Sequence, residues 1–447
     1  MRWIWFVVLA ACSGEDAPPE CKPAEECRAA CSFGPGTMPS ASLADQARVG
    51  SKIPVDHFIL VMQENRTFDH FFSTLTVPGQ TVDGAAADAT NPDPTTPGGT
   101  ISRFHQTAYC FDNPAEEWSQ VHREVNGGAM DGFTAENGLS DPTNDPTGAR
   151  AMGYFDEGDL PYYYALSRAF AISDRHFASV QANSWANRSF YMAGTSYGIV
   201  SNVFPPQKDA MGAILPNLFT RLNDANVTWK MYAEDFPTIG ILDETYAKNI
   251  SHIDAYDQFF IDAAAGDLPQ VTFVEHSDMK GGLSPDEDPP ADMQVGQADV
   301  ANIVAAVTSS PEWPHAALII TYDEQGGFYD HVPPQPACAP DETPPDLTPD
   351  DVVAAYDQTG LRVPLIAVSP YAKRGYVSHV VTEHTSILRL IEARFGLQAL
   401  SRRDANAVPP FDLFDFDHPD LSVPMLPPAT IDQVQQQTCA QKYPSKN

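Results

Sequence analysis

Short, largely apolar runs recur along the chain at Phe58 to Met62, Val227 to Tyr232, Val271 to Val274, Ala316 to Thr321 and Val363 to Val368. Runs of this kind predict strands buried on both faces. Between them the apolar spacing becomes helical, at Val300, Ile303, Val304 and Val307 and again at Ile387, Leu388, Ile391 and Phe395. Each set makes one stripe down a helix. Strands alternating with helices predict an α/β sandwich with a largely parallel central sheet. Stretches rich in Pro, Asp, Thr and Gly at 77–100, 279–293 and 333–352 interrupt this pattern, but core segments resume after each, so they read as excursions from one domain.

The flanks differ in composition. Residues 13–50 are rich in Pro, Ala, Glu and Gly and read as a flexible tether, 51–405 as the catalytic domain, and 406–447 as a tail that wraps the surface, tied by Cys439. Residues 1–12 read as a signal segment: Arg2 precedes the apolar Trp3 to Ala11, which ends in Leu9-Ala10-Ala11-Cys12 like a bacterial lipoprotein signal. That stretch falls short of the roughly 20 residues that span a bilayer. The expectation is export, either as an envelope lipoprotein anchored to the membrane through a lipid on Cys12 or as a secreted protein. Six further cysteines, Cys21, Cys27, Cys31, Cys110, Cys338 and Cys439, suit up to three disulfides in an oxidising compartment, with connectivity open.

Of 447 residues, 43% are hydrophobic and 10% aromatic, which is a globular composition. The 59 acidic against 26 basic residues leave a net charge of −33. That excludes nucleic acid as the expected partner, because phosphate backbones require a positive face.

Two strand exits carry the chemistry. The first run leads into Glu64-Asn65-Arg66-Thr67-Phe68-Asp69-His70, and the run ending at Tyr322 leads into Asp323-Glu324-Gln325-Gly326-Gly327. Ligands of open parallel sheets collect beyond the carboxyl ends of the strands. Adjacent acids there repel unless a cation or solvent relieves them, and hard divalent cations prefer such oxygen donors. Asn65 and Asp69 are also ordinary capping residues. After the Val363 run come Ser369-Pro370-Tyr371 and then His379 and His384, expected at the same rim, with Thr385-Ser386 capping the next helix.

Two serines compete as nucleophile. Gly194-Thr195-Ser196-Tyr197-Gly198 has the Gly-x-Ser-x-Gly form of esterases, but that elbow needs a strand before it and a helix after it, and here the preceding segment reads as helix. Ser184 instead precedes Arg188, placed to receive a phosphoryl oxygen or to hold a helix end.

As a set the motifs resemble a phosphoesterase family that includes bacterial non-haemolytic phospholipases C and related acid phosphatases. The resemblance rests on Glu64 to His70, Asn126-Gly127-Gly128-Ala129-Met130-Asp131-Gly132-Phe133, Ser184-Trp185-Ala186-Asn187-Arg188, Thr321 to Glu324 with Gly326-Gly327 and Asp330-His331, and Glu383-His384-Thr385-Ser386. It implies an alkaline-phosphatase-like α/β/α fold, a divalent metal ion held by Glu64, Asn65, Asp323 and Glu324, and Ser184 as the nucleophile that forms a phosphoseryl intermediate. His105 and His384 fall at positions where the family has catalytic histidines. The implied substrate is a phosphate ester, with phospholipid as one candidate.

Two departures bear on specificity. Glu116 stands where many relatives have a histidine two residues before a Trp, here Trp118, and Asp288 stands in Glu287-Asp288-Pro289-Pro290 where they have Glu-His-Pro-Pro. If both face the pocket as substrate-binding residues, they disfavour a second negative charge and tilt the preference from phosphomonoesters to diesters. His122 and His276 are candidate substitutes for the lost histidines. The leading expectation is therefore a metal-dependent phosphoric ester hydrolase of phospholipase C type. The alternatives are an acid phosphatase of the same fold, a serine carboxylesterase using Ser196, and a non-catalytic cation-binding surface protein.

Overall fold

A computed structural model describes residues 23–46 and 48–445. The expected signal segment, Cys12 and Cys21 lie outside these residues.

All five apolar runs are strands of one eight-stranded sheet, which also recruits three short segments. In chain order its strands are β1 (His57–Gln63), β2 (Ala171–Ser173), β3 (Trp229–Ala233), β4 (Ile253–Ala255), β5 (Val271–Glu275), β6 (Ala316–Tyr322), β7 (Leu365–Val368) and β8 (Tyr376–Ser378). They lie side by side as β8-β2-β7-β6-β1-β5-β3-β4. Every residue of β6, and all of β1 after His57, is buried, so both faces of the sheet are covered. The helices used below are α1 (Phe68–Phe72), α2 (Trp118–Val125), α3 (Ser184–Ala193), α4 (Met293–Ser309), α5 (His384–Phe395) and α6 (Gln433–Lys442). The periodic residues Val300, Ile303, Val304 and Val307 are buried on α4, as Ile387, Leu388 and Ile391 are on α5. The α/β architecture with a largely parallel sheet is thus the one expected.

The sheet is parallel except at β7, which runs antiparallel to both β6 and β2. This corrects one expectation. Because β7 is reversed, its exit lies at the opposite edge from the exits of β1 and β6. The Ser369 hydroxyl there donates to the carbonyl of Ala316, the first residue of β6, at 2.7 Å. His379 sits at the surface with Nδ1 2.8 Å from Asp174. His384 follows β8, which is parallel to β2 and exits at the edge shared with β1 and β6, and it opens α5, whose cap is Glu383, accepting from the Thr385 amide, with Ser386 completing a capping box.

The tether is a second correction. Over 23–46 the chain is packed on the body: Cys31 is bridged to Cys338, Arg28 pairs with Asp45 at 2.6 Å, and Cys27 and Leu43 are buried. Apolar anchors and a cross-link decide this, against a composition that favours looseness. In the tail, α6 carries Cys439, which is bridged to Cys110. Because that bridge closes a loop of 329 residues, Cys439→Ser is expected to cost about 2–4 kcal/mol of stability. A lowered melting temperature under oxidising conditions, with no change under reducing ones, checks this.

Candidate active site

The sheet order explains how distant motifs meet. Strand β1 lies between β5 and β6, in parallel register that pairs Gln63 with Tyr322 and Val61 with Val274. Glu64-Asn65 and Asp323-Glu324 therefore leave the sheet side by side, and Glu275-His276 leaves on the other flank. Asn65 takes a left-handed φ of 61° directly after the strand, turning its amide back over the sheet edge. Its backbone N–H donates to Asp323 Oδ1 at 3.2 Å, and the Glu324 N–H donates to the same oxygen at 2.8 Å. Gly326 closes the knot at φ 60°: a Cβ there would stand 2.4 Å from the Asn65 carbonyl, so only glycine permits the approach.

Ser184 is the first residue of α3, and Arg188 lies one turn later on the same face. Asn187 secures the approach to this helix: its amide nitrogen donates to the Val180 and Ala182 carbonyls while its oxygen accepts from the Val180 N–H. Ser184 Oγ donates to Glu64 Oε2 at 3.3 Å. Arg188 donates to Glu64 Oε1 at 2.7 Å, Asp323 Oδ2 at 3.2 Å and Thr238 Oγ1 at 3.1 Å. Expected to await a phosphoryl oxygen, Arg188 is instead committed to the carboxylates, because it is the cation nearest two largely buried acids. Burial opposes its charge, but Glu64 and Asp323 outweigh that and hold it protonated.

Ser184, Arg188, Thr238 and Glu64 line a cavity of about 200 Å³ whose wall includes Glu116, Asp286, Asp288 and His276. The excursion at 279–293 supplies Asp286 and Asp288 and is tied down where the Glu64 N–H donates to the Asp286 carbonyl at 2.9 Å. Asn65 Nδ2 donates to Glu116 Oε2 at 2.7 Å and to Asp288 Oδ1 at 2.8 Å. Both replaced histidine positions therefore face the pocket. Burial and mutual repulsion push the acids up: Glu64, beside Asp323, to about 8, and Glu116, Glu324 and Asp286 well above the carboxylate range.

This arrangement fits a divalent cation. Asn65 Oδ1 and Glu324 Oε1 are buried without a hydrogen-bond partner. Glu64 and Asp323 stand beside them, their oxygens held by Ser184, Arg188 and backbone amides, and the crowding of acids calls for more positive charge than Arg188 brings. Among the described residues, the acid and histidine ligand atoms close enough to share an ion are those of Asp69, Asp330 and His331 and of His105, Asp156 and Asp159.

The structure leaves other candidates aside. His105 is half-exposed, with Nε2 2.7 Å from Asp159, and does not line the cavity; its strand, Phe104–His105, pairs with Gly153–Tyr154 away from the main sheet. His384 is buried behind the site, its Nε2 2.7 Å from the Asp323 carbonyl, and burial lowers its pKa. It supports the acid-bearing turn instead of facing substrate. His122 is turned onto the Trp118 carbonyl at 2.7 Å. Ser196 is buried and donates to the Tyr356 hydroxyl at 3.0 Å, with helix α3 rather than a strand before it, so the elbow geometry is absent. In the opening motif the cap of α1 is Thr67, which accepts from the His70 N–H, while Asp69 pairs with Arg362 at 3.1 Å and His331 at 2.6 Å. Of the two candidate substitutes, His276 does line the cavity, at the exit of β5, whereas Asp286 and Thr238 in the same wall were not foreseen.

A family model described as "Phosphoesterase family" matches residues 55–398. Non-specific phospholipase C6 of Arabidopsis thaliana is 32% identical over 375 residues, covering 79% of this chain and 70% of the relative. Non-specific phospholipase C1 of the same plant is 30% identical over 380 residues, covering 79% and 69%. Phospholipase C B of Mycobacterium tuberculosis is 30% identical over 460 residues, covering 85% and 83%.

Proposed function

Because the chain belongs to the Phosphoesterase family and is a phosphoric ester hydrolase, we propose that it cleaves phosphodiesters, phospholipids among them, in the manner of a phospholipase C, with Ser184 as nucleophile. The observation that carries this reading is the meeting of Ser184 Oγ, Glu64 and Asn65 at one cavity, with Asp323 buried directly behind them and bonded to the Asn65 amide. In the proposed reaction Ser184 Oγ attacks phosphorus as its proton passes to Glu64 Oε2, the atom it already faces. A phosphoseryl enzyme forms, and water then hydrolyses it. Arg188 keeps Glu64 and Asp323 in place, and His384 holds the Asp323 backbone from behind. A divalent cation held by Glu64, Asn65, Asp323 and Glu324 would supply Lewis acidity and offset the charge of the acids. His105 takes no part in this scheme.

Glu116 and Asp288 set the preference for diesters. A monoester dianion brings a second charge into a pocket whose acids already push one another up, and like charges a few ångströms apart cost on the order of 4 kcal/mol at an effective dielectric of 20. A panel of matched 4-nitrophenyl diesters and monoesters tests this. The diester is expected to be cleaved at least ~100-fold faster, and the double variant Glu116→His, Asp288→His to narrow that ratio by ~10-fold or more. A wild-type preference for monoesters would reject the assignment.

Export through a lipid on Cys12 also belongs to this proposal. It is supported by the disulfides Cys31–Cys338 and Cys110–Cys439, which form in oxidising compartments.

A further inference from the structure

The scheme above leaves the leaving oxygen without a proton, since the Glu116 and Asp288 carboxylates accept from Asn65 and His384 lies behind Asp323. His276 is the histidine found among the described residues that line the cavity. It is the first residue after β5, the strand beside β1, and it is buried. Its Nδ1 lies 2.6 Å from Asp299 Oδ2 on α4, an oxygen that also accepts from the Tyr256 hydroxyl at 2.6 Å. Burial alone would raise the Asp299 pKa, but His276 and Tyr256 outweigh it and keep the carboxylate ionised. An ionised partner fixes the proton on Nδ1 and leaves the other ring nitrogen to exchange. That nitrogen, Nε2, is buried and has no hydrogen-bond partner.

Resting on the hydrolase reading, we propose that His276, oriented by Asp299, is the general acid of the first step and the general base of the second. In the first step the Ser184 Oγ–P bond forms and the P–O bond to the alcohol breaks. The serine proton goes to Glu64 and the Nε2 proton to the departing oxygen. In the second step water oxygen bonds to phosphorus and the P–Oγ bond breaks. One water proton returns to Nε2, the Glu64 proton returns to Ser184, and the phosphate monoester leaves. Asp299 is a positioning residue in this scheme.

The test uses two diesters of the full-length protein's wild-type and His276→Gln forms, one losing 4-nitrophenolate and one a primary alkoxide. A phenolate that departs unaided needs little protonation, whereas an alkoxide needs it fully. The variant is expected to lose ~100-fold or more in kcat on the alkoxide ester and less than ~10-fold on the nitrophenyl ester. Asp299→Asn should lose kcat on the alkoxide ester more than on the nitrophenyl ester, with KM little changed, because the ring loses the partner that fixes its tautomer. An equal loss on both esters, as a folding defect would give, or no loss on the alkoxide ester overturns the role of His276. Failure of the wild type to cleave either ester overturns the hydrolase reading itself.

Discussion

Ser184→Ala is expected to lower kcat for a chromogenic phosphodiester by a factor of roughly 10⁴–10⁶, the range seen when a nucleophile is removed and only binding and electrostatics remain. The fold should survive. Ser184 opens α3, a position that alanine tolerates, and its hydroxyl makes one long bond of 3.3 Å to Glu64. Ser196→Ala makes the opposite pattern: a buried hydroxyl bonded to Tyr356 is lost, costing about 1 kcal/mol of stability, with kcat unchanged. Melting curves and steady-state kinetics on the two variants separate the roles. More than a few per cent of residual activity in Ser184→Ala, or inactivation by Ser196→Ala in a folded protein, would reassign the nucleophile.

Chelation is expected to abolish hydrolysis and to lower the melting temperature, both restored by adding a divalent cation. The physical basis is the acid knot. Glu64, Glu116, Glu324 and Asp286 are all pushed up by burial and by one another, so without added positive charge the site resists ionisation. A cation bound only by the folded state stabilises it by mass action, about 2.7 kcal/mol at a concentration 100 times Kd. Asp323→Asn should lose this response and ~10³-fold or more in activity. Its carboxylate joins Arg188 to the Asn65 and Glu324 amides, and the neutral amide cannot replace that charge. A melting temperature that rises equally with cation in wild type and Asp323→Asn would place the ion elsewhere.

Some expectations failed for reasons visible in particular residues. His105 fell at the right place in a motif, yet local pairing with Gly153–Tyr154 and Asp159 carries it away from the cavity. Ser369 was expected at the rim with the other strand exits, but the reversed β7 places it at the far edge, while His379, after the parallel β8, leaves on the shared edge at the border of the sheet and pairs with Asp174. Residues 23–46 looked like part of a tether because Pro, Ala, Glu and Gly are frequent across 13–50. A few buried side chains and the Cys31–Cys338 bridge outweigh composition.

The linear order of residues was enough to determine the strands of the central sheet, two principal helices, and the acids and serine of the site, because burial leaves a period in the sequence and strand exits collect polar chemistry. It could not determine which exits are neighbours. That depends on strand order and direction, which are long-range pairings: β1 between β5 and β6 unites Glu64 with Asp323, and Asn65 then draws in Glu116 and Asp288 from loops 51 and 223 residues away. The same pairing brings His276 to the cavity wall, while α4 supplies Asp299 beside it. Side-chain identity is local information, but the proximity of charges is not, and the chemistry of this site follows from proximity.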